Sequence, residues 1–547
     1  MIKVYISIVC CLPIFFDGYY FTGGVLSALV FYLYSFLLFT TFIILGRYYL
    51  FLAIPSLVFS ALVTSYVVLT RSKISLNVVA SVLETDFREA LEFTSSPFFI
   101  RYILISLSII MSPYVLHRLM SLLKIAPLRK LQVRPLFILI CLLTLTGFHH
   151  IDTSGNERRT INAAGINNYF PVREMITLKR ILFEASWVIN QYQNMSIPLD
   201  SEQNTGNDTS VILVIGEAAR KSSMGLYGSK YDTTPYLSKL ANESQENFVH
   251  MSQMVSASAT TRVSVPSMIS MSSAARFSDV AHYPSIYRMA NTAGVETVYL
   301  ASKAKNTFFE SVINAIMQDN KVIIYNDNGS EYDGDVLDYL PEIINDGSSS
   351  QLITFQLAGS HYKYDARYPP SHDCFEPAIE EAFYLNSIRY TDFVLSRLAQ
   401  NVNQTEKPYV IIYTSDHGEY VNDEGDGIFG HGFKQFVKNE VEVPLVFIFN
   451  DAFAKKYQEL VDVVRLHSQI PVSHDNVSHT VLGLLGISDS KYYSSSYDIT
   501  SEAFLEHERF IVDMNMKDVP IELYSFRQSP LSNSERTEIK LKPHCSG

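Results

Sequence analysis

The chain of 547 residues has 43 lysines and arginines against 55 aspartates and glutamates, which gives a formal net charge of −12. Binding to nucleic acid needs clustered cations, so this balance excludes nucleic acid as the expected partner. Hydrophobic residues make up 48% of the sequence, and the charged residues concentrate after residue 150. We therefore expect a membrane domain at 1–150, followed by a soluble part long enough for one large domain.

Five apolar stretches in the first 150 residues predict membrane-spanning helices, of which the first and last are short. They are 2–16, 25–45, 49–69, 102–123 and 135–148. A secretory signal peptide is the alternative for the first stretch, but no small-residue cleavage site follows it. Basic residues follow the second and fourth stretches, and positive loops stay in the cytoplasm. An odd number of spans from a cytoplasmic amino terminus then places the soluble part across the membrane, which is the periplasm if the source is a Gram-negative bacterium and the anchor its inner membrane.

The segment 75–93, between the third and fourth stretches, predicts an amphipathic helix at the outer membrane surface. Its apolar and polar residues follow helical spacing. Ser81, Thr85 and Glu89 recur every four residues, so they share one face and can contact a polar headgroup together. A solvated helix face is the alternative interpretation.

Residues 151–207 predict a bridging helix and a polar linker, and the soluble domain is expected at 208–528. Short β-rich runs alternate there with helical stretches. The runs are 211–216, 297–301, 352–357, 409–414 and 443–449. This alternation predicts an α/β domain with a largely parallel sheet covered by helices on both faces. The polar end at 529–547 is expected to be flexible.

Candidate metal ligands follow several predicted strands. Glu217 follows the first run, His361 follows the third, and Asp416 and His417 follow the fourth. The carboxyl ends of parallel strands collect functional residues at one edge, and zinc binds carboxylate oxygens and histidine nitrogens. Each residue alone has an ordinary explanation, such as a turn, but jointly they indicate a metal site. The hydroxyl-rich turn at 258–266 can hold a nucleophile against that metal.

These features resemble the phosphoethanolamine transferases of the alkaline phosphatase and sulfatase superfamily, which include lipid A-modifying and mobile colistin-resistance enzymes. The resemblance extends nearly from end to end and includes the five membrane helices. It is carried by motifs at 216–220, 261–268, 359–361, 390–392, 415–419, 431–432 and 473–476.

The resemblance implies that Thr261 is the nucleophile and that zinc is bound by Glu217, Thr261, Asp416 and His417. Thr260 is the rival nucleophile. Zinc at the threonine lowers the pKa of its hydroxyl, so that the oxygen can attack phosphorus near neutral pH.

Two further histidines of the family are matched by His361 and His431. The resemblance implies that they contact the phosphoryl oxygens, protonate the leaving group or hold a second, transient metal. Histidines in loops are more often solvated, so His372, His474 and His479 are expected to be structural.

The headgroup-binding helix of the family carries asparagine, threonine and glutamate four residues apart. Thr85 and Glu89 match this pattern and Ser81 departs from it. The carboxylate of Glu89 suits the ammonium group of ethanolamine.

Other positions depart from the family. Ala257 and Ser267 stand where several members have a disulfide, and the sequence at 303–306 leaves the position of the substrate-facing lysine open. Only Cys374 and Cys545 lie outside the predicted spans, so the soluble part has at most one bridge, and whether these two pair is left open.

The implied function is that of an inner-membrane, zinc-dependent phosphoethanolamine transferase with a ping-pong mechanism. Phosphatidylethanolamine is the donor, a phosphothreonine is the intermediate, and lipopolysaccharide or another envelope glycan is the acceptor. Lipid A, Kdo, heptose and periplasmic glucans all remain open as acceptors. The alternatives are a phosphoglycerol transferase of the same superfamily and an inactive membrane scaffold or sensor.

Overall fold

The computed structural model describes residues 49–70, 94, 97–123, 190, 192–195 and 208–545, the last range with gaps at 245, 303–311, 327–331, 345–349, 434, 489, 515 and 528–536. The chain divides into two units, Met1–Phe183 and Glu184–Gly547. The predicted spans at 2–16, 25–45 and 135–148 lie outside the described residues. The predicted helix at 75–93, with Ser81, Thr85 and Glu89, lies outside them as well.

Two helices form the described part of the first unit. They are α1 (Tyr49–Thr70) and α2 (Pro97–Leu122), close to two of the predicted spans. They pack together, and the hydroxyl of Ser106 donates a hydrogen bond of 2.8 Å to that of Ser65. Within the described residues, one segment, Phe99–Leu119, is long and apolar enough to cross a membrane.

A seven-stranded mixed sheet forms the centre of the second unit. Its order is β2-β11-β8-β1-β6-β4-β5. Neighbours from β8 through β1, β6 and β4 to β5 are parallel, whereas β11 runs antiparallel to β8 and to β2. The strands are β1 (Ser210–Gly216), β2 (Phe248–His250), β4 (Glu296–Ala301), β5 (Val322–Tyr325), β6 (Gln351–Gln356), β8 (Tyr409–Ser415) and β11 (Leu445–Phe449). The five predicted runs correspond to β1, β4, β6, β8 and β11.

Among the described residues, eight shorter strands pair outside this sheet. β3 is parallel to β12, whereas β9–β10, β13–β14 and β7–β15 are antiparallel pairs. Their bounds are β3 (Met254–Val255), β7 (Phe375–Glu376), β9 (Tyr420–Val421), β10 (Phe429–Gly430), β12 (Val472–Ser473), β13 (Phe510–Val512), β14 (Asp518–Pro520) and β15 (Lys540–Leu541).

Helices cover both faces of the central sheet. Alternate side chains of a strand point to opposite faces, and apolar side chains on both faces need to be buried. Along β1, Leu213 and Ile215 pack into one buried cluster, and Ile212 and Val214 pack into another. The helices are α3 (Pro235–Glu243), α4 (Thr261–Ile269), α5 (Ile286–Thr292), α6 (Val312–Met317), α7 (Leu340–Ile343), α8 (Glu380–Val402), α9 (Asp451–Lys456), α10 (Gln458–His467) and α11 (His474–Leu484).

The described part of the predicted bridging segment is anchored to this second unit. Tyr192 is buried, and its hydroxyl donates to the carboxylate of Asp319. The same carboxylate forms an ion pair of 2.7 Å with Arg288, whose guanidinium lies 4.6 Å from the centre of the Tyr192 ring.

Near its end, the chain is attached to the domain by a strand pair and a disulfide. β15 pairs with β7, Cys374 is bonded to Cys545, and the Lys542 ammonium lies 2.8 Å from the Asp373 carboxylate. This corrects the prediction of a flexible end at 529–547 for the part that the structure describes. The polar composition of this stretch does not predict its contacts with distant residues.

Replacing Cys374 by Ser is expected to lower the free energy of unfolding by about 3 kcal/mol. The bridge joins positions 171 residues apart, so it removes many conformations from the unfolded chain. Urea denaturation of the full-length protein in detergent would measure the loss, and Cys545→Ser should lose the same amount. Equal stability of the wild type with and without reductant would contradict this expectation.

Candidate active site

One edge of the central sheet brings together three side chains that the sequence predicts as metal ligands. β1 and β8 pair in parallel up to Gly216, which lies opposite Ser415. Glu217 directly follows β1, and Asp416 and His417 directly follow β8. All three side chains are buried, which is uncommon for charged groups that have no partner.

Four side-chain atoms at this edge have the spacing of ligands around one tetrahedral ion. The Thr261 hydroxyl lies 3.1 Å from Oε1 of Glu217 and 3.2 Å from Nε2 of His417. Nε2 of His417 lies 3.3 Å from Oε1 of Glu217 and 3.4 Å from Oδ2 of Asp416. Ligands about 2.0 Å from a tetrahedral zinc ion are roughly 3.3 Å apart, so these donors and spacings fit zinc.

The hydrogen bonds of Asp416 and His417 direct one atom of each into this cluster. Oδ1 of Asp416 accepts the backbone N–H groups of His417 (2.7 Å) and Ala218 (3.1 Å). Oδ2 is buried and lies 3.4 Å from Nε2 of His417, within the cluster. Nδ1 of His417 donates to the carbonyl of Gly418 at 2.8 Å, so the lone pair of the neutral ring is at Nε2. A metal ion would satisfy both remaining atoms.

The protonation behaviour of the cluster also favours a bound cation. Burial and the neighbouring Glu217 raise the pKa of Asp416 to about 7. Burial lowers the pKa of His417, but the attraction of Asp416 and Glu217 outweighs this effect and raises it to about 10. Two buried carboxylates side by side are unfavourable unless a positive charge lies between them.

The structure separates the two candidate nucleophiles. Thr261 is the first residue of α4, and its hydroxyl lies in the cluster of metal-ligand atoms. Thr260 precedes the helix and is buried, and its hydroxyl lies 3.4 Å from that of Ser258. Of these two threonines, Thr261 therefore carries the hydroxyl that contacts Glu217 and His417.

The other hydroxyl groups of the turn hold its shape. The Ser264 hydroxyl accepts from the N–H of Ser258 (3.1 Å) and donates to its carbonyl (2.9 Å). The Ser258 hydroxyl donates to the carbonyl of Val512 at 2.8 Å. A buried turn must satisfy its backbone groups, so most of the hydroxyl-rich pattern at 258–266 reflects this requirement.

The turn that carries His361 packs directly on Glu217. A Cβ atom at Gly359 would lie 2.6 Å from the backbone N and O of Glu217, so this close approach requires glycine. The N–H of Ser360 donates to the Glu217 carbonyl at 2.8 Å. Both carboxylate oxygens of buried Asp333 accept N–H groups of this turn, at 2.7 and 2.9 Å. Sequence reasoning missed Asp333, which lies in a short helical turn after β5.

His431 lies beside the cluster and is oriented by a buried carboxylate. It directly follows β10, and its ring centre lies 4.0 Å from that of His417 and 5.9 Å from that of His361. Nδ1 of His431 donates to Oε2 of Glu419 at 2.8 Å. The Tyr364 hydroxyl donates to Oε1 of Glu419 at 2.6 Å. Burial raises the pKa of Glu419 to about 7.

The roles of Glu419 and Tyr364 were missed by sequence reasoning, although Glu419 follows the Asp-His-Gly sequence by one position. Ligand atoms of His417, Glu419 and His431 lie within 4.8 Å of one another, in a second group of metal-ligand side chains that shares His417 with the first cluster.

The remaining predicted histidines have other surroundings. The ring of His372 lies 4.8 Å from that of Tyr390, and Nδ1 of His479 accepts from the N–H of Ser494 at 3.1 Å. His474, in contrast, contacts two segments of the candidate site, at Ala257 and at Ser415.

Comparison with known proteins identifies a matching family and a similar phosphoethanolamine transferase. The sequence profile of the Sulfatase family matches residues 209–487, just over half of the chain. The phosphoethanolamine transferase EptA of Helicobacter pylori is 27% identical over 296 residues. This similarity covers 50% of this chain and 53% of the relative, so the chain spans about half the length of that curated protein.

Several solved structures share the fold, among them two phosphoethanolamine transferases. The integral membrane protein lipooligosaccharide phosphoethanolamine transferase A (EptA) from Neisseria meningitidis has a TM-score of 0.65 at 19% identity, covering 91% of this chain and 97% of that one. The C-terminal periplasmic domain of EptC from Escherichia coli, in complex with Zn, has a TM-score of 0.52 at 21% identity, covering 60% and 97%. The second unit thus has the α/β fold of sulfatases and alkaline phosphatases, with a mixed sheet. From this fold and the matching profile, we conclude that the chain belongs to the sulfatase family.

Proposed function

We propose that this protein is a zinc-dependent phosphoethanolamine transferase of the bacterial inner membrane. It moves phosphoethanolamine from phosphatidylethanolamine to lipopolysaccharide or another envelope glycan. The observation that carries this proposal is the position of the Thr261 hydroxyl, which lies 3.1 Å from Glu217 and 3.2 Å from His417. Thr261 is also the first residue of α4. The names of the similar proteins from Helicobacter and Neisseria support the choice of phosphoethanolamine as the transferred group.

The residues that hold the metal are Glu217, Thr261, Asp416 and His417. A zinc ion bound there would act as a Lewis acid and would lower the pKa of the threonine hydroxyl. The complex of the Escherichia coli EptC domain with Zn supports this choice of metal. A second, transient ion is proposed near His361 and His431, whose ring centres lie 5.9 Å apart.

The reaction consists of two displacements at phosphorus. In the first, Oγ1 of Thr261 gives up its proton and attacks the donor phosphorus, and the bond between phosphorus and the diacylglycerol oxygen breaks. The diacylglycerol takes up a proton and leaves as an alcohol. In the second, an acceptor oxygen gives up its proton and attacks the phosphothreonine, the bond between phosphorus and Oγ1 breaks, and Oγ1 takes up a proton to restore the hydroxyl. The positive end of α4, which begins at Thr261, stabilises the phosphoryl oxygens in both displacements.

His361 and His431 move the protons in these displacements. Nδ1 of His431 donates to Glu419, and Nε2 is the atom that we assign to proton exchange with a leaving or entering oxygen. The buried carboxylate keeps the ring in this orientation, as a carboxylate does for many catalytic histidines.

The membrane part is proposed to occupy 1–150 with five spans, joined through 151–207 to a periplasmic catalytic domain that begins at 208. The likeness to an integral membrane protein over 91% of this chain supports this arrangement. Ser81, Thr85 and Glu89 are the proposed contacts for the donor headgroup. The carboxylate of Glu89 would attract the ethanolamine ammonium group.

Intact-protein mass spectrometry of the full-length enzyme in detergent tests the proposed function. After incubation with zinc and phosphatidylethanolamine, but without an acceptor, the protein is expected to gain the mass of one phosphoethanolamine group. An adduct formed only with phosphatidylglycerol would identify a phosphoglycerol transferase instead. Absence of an adduct with either lipid would favour an inactive scaffold or sensor.

A further inference from the structure

A fully buried histidine connects the nucleophile turn to the strand that carries two metal ligands. His474 is the first residue of α11 and has no exposed surface. Its Nδ1 accepts the backbone N–H of Ala257 at 3.1 Å. Its Nε2 lies 3.1 Å from the backbone carbonyl of Ser415. Ala257 lies four residues before Thr261, and Ser415 directly precedes Asp416.

The two partners allow only one form of the ring to make both bonds. A backbone N–H can only donate, so Nδ1 of His474 must present a lone pair to Ala257. A carbonyl can only accept, so Nε2 must carry the hydrogen that is donated to Ser415. The neutral ring with its hydrogen on Nε2 meets both requirements. Burial favours this neutral form by lowering the pKa of His474 to about 3.

This connection matters because the nucleophile turn and the metal-binding carboxylates follow different strands. β3, which leads into the turn, pairs with β12 outside the seven-stranded sheet and is bridged at Val255 to Glu442, shortly before β11. Glu217 and Asp416, in contrast, follow strands of that sheet. The imidazole between Ala257 and Ser415 therefore joins the nucleophile turn directly to the end of β8, the strand that two of the proposed metal ligands follow.

The position of His474 is itself fixed by its neighbours in sequence. β12 leads directly into His474, and the N–H of Ser473 donates to Oδ1 of Asn476 at 2.9 Å, within the cap of α11. Asn476 also donates to the carbonyl of Tyr497 at 2.9 Å. The carboxylate of Asp475 accepts the N–H of Ala274 at 2.8 Å. The ring therefore has little freedom to rotate or shift.

We propose that His474 is a positioning residue that sets the distance between the Thr261 hydroxyl and the metal-binding carboxylates. It acts through two backbone groups and touches neither the substrate nor the metal. This inference rests on the proposed function, since it assigns a role in placing the nucleophile of that same site.

Two substitutions separate the two bonds of the ring. The amide of Gln reaches the place of Nε2, so His474→Gln keeps the donor to Ser415 and loses the acceptor for Ala257. The shorter side chain of Asn reaches the place of Nδ1, so His474→Asn keeps the acceptor and loses the donor. His479→Gln is the matched control, because His479 lies on the same helix and also accepts one backbone N–H.

His474→Gln is expected to slow formation of the phosphoethanolamine adduct by about 100-fold, since a displacement near 1 Å at a reacting atom has this effect. Its zinc affinity should fall less than that of His474→Asn, because Glu217, Asp416 and His417 keep their places and only Thr261 shifts. His474→Asn is expected to weaken zinc binding about tenfold, as loss of an outer-shell contact does. Adduct formation is followed by mass spectrometry under single-turnover conditions, and zinc affinity by competition with a chelator.

The control His479→Gln should lower the melting temperature without changing the adduct rate or the zinc affinity. An unchanged adduct rate in His474→Gln overturns the proposal, and so does an unchanged zinc affinity in His474→Asn. If the Gln variant does not fold, the Asn variant still tests the proposal through zinc binding. If the wild type itself forms no adduct, the proposed function fails, whereas the zinc measurement still reports on His474.

Discussion

Thr261→Ala is expected to abolish the covalent phosphoethanolamine adduct, whereas Thr260→Ala should keep it. The Thr261 hydroxyl lies against Glu217 and His417, and the Thr260 hydroxyl lies beside Ser258 instead. Loss of the attacking group from a covalent mechanism lowers the rate by about 10⁴-fold or more. Mass spectrometry of each variant after incubation with donor lipid and zinc would measure the adduct.

Thr261→Ser is the matched control for this pair, because it keeps a hydroxyl at the same position and should still form an adduct. The Thr260 side chain makes no capping bond to α4, so its removal should leave the helix intact. An adduct that persists in Thr261→Ala and disappears in Thr260→Ala would assign the nucleophile to the other threonine. That result would require α4 to change its first turn during the reaction, so that the Thr260 hydroxyl reaches the metal ligands.

Asp416→Asn is expected to remove the stabilisation that zinc confers on the protein. The substitution keeps Oδ1, which accepts two backbone N–H groups, and neutralises the buried Oδ2 that is directed into the cluster. At a zinc concentration of about 100 times the dissociation constant, the wild type should gain roughly 2.7 kcal/mol in its free energy of unfolding. The variant should gain nothing at that concentration and should form no adduct.

Without zinc, Asp416→Asn is not expected to lower the free energy of unfolding above neutral pH. Burial and Glu217 raise the pKa of Asp416 to about 7, above its value in the unfolded chain. Its ionisation therefore opposes folding, increasingly as the pH rises towards 7 and fully above it. Chemical denaturation in chelator at pH 8 would measure this effect.

Asp392→Asn is the matched control. Asp392 is also a buried carboxylate, but its oxygens accept two N–H groups at the start of α3, at 2.8 and 3.0 Å. Its loss should destabilise the protein and leave the gain from zinc unchanged. A zinc-dependent gain that survives in Asp416→Asn would contradict the proposed ligand set.

The sequence was sufficient for the strands whose apolar runs are long enough to have a pattern. β1, β4, β6, β8 and β11 were predicted, whereas β2 and β5, with three and four residues, were missed. The antiparallel direction of β11 was missed too. A strand buried at every position reads the same in either direction, and only its pairing with β8 sets its orientation.

Within the candidate site, sequence reasoning found the residues that directly follow strands. It missed residues whose contacts in the site are with segments distant in the sequence. Glu217, Asp416 and His417 directly follow their strands, so the topology alone brings them together. The choice between Thr260 and Thr261 depends on the residue at which α4 begins, which a run of two threonines does not reveal. His474 contacts Ala257, 217 positions away, and no local pattern records such a distance.

The disulfide between Cys374 and Cys545 divides the candidate site into two covalent parts. Asp416, His417, His431 and His474 lie between the two cysteines, in a closed ring of the chain, whereas Glu217 and Thr261 lie before it. A single cleavage of the backbone anywhere inside the ring would therefore leave its two pieces joined. The nicked protein would remain one molecule until the bridge was reduced, and its histidines would stay linked to the nucleophile by unbroken covalent bonds.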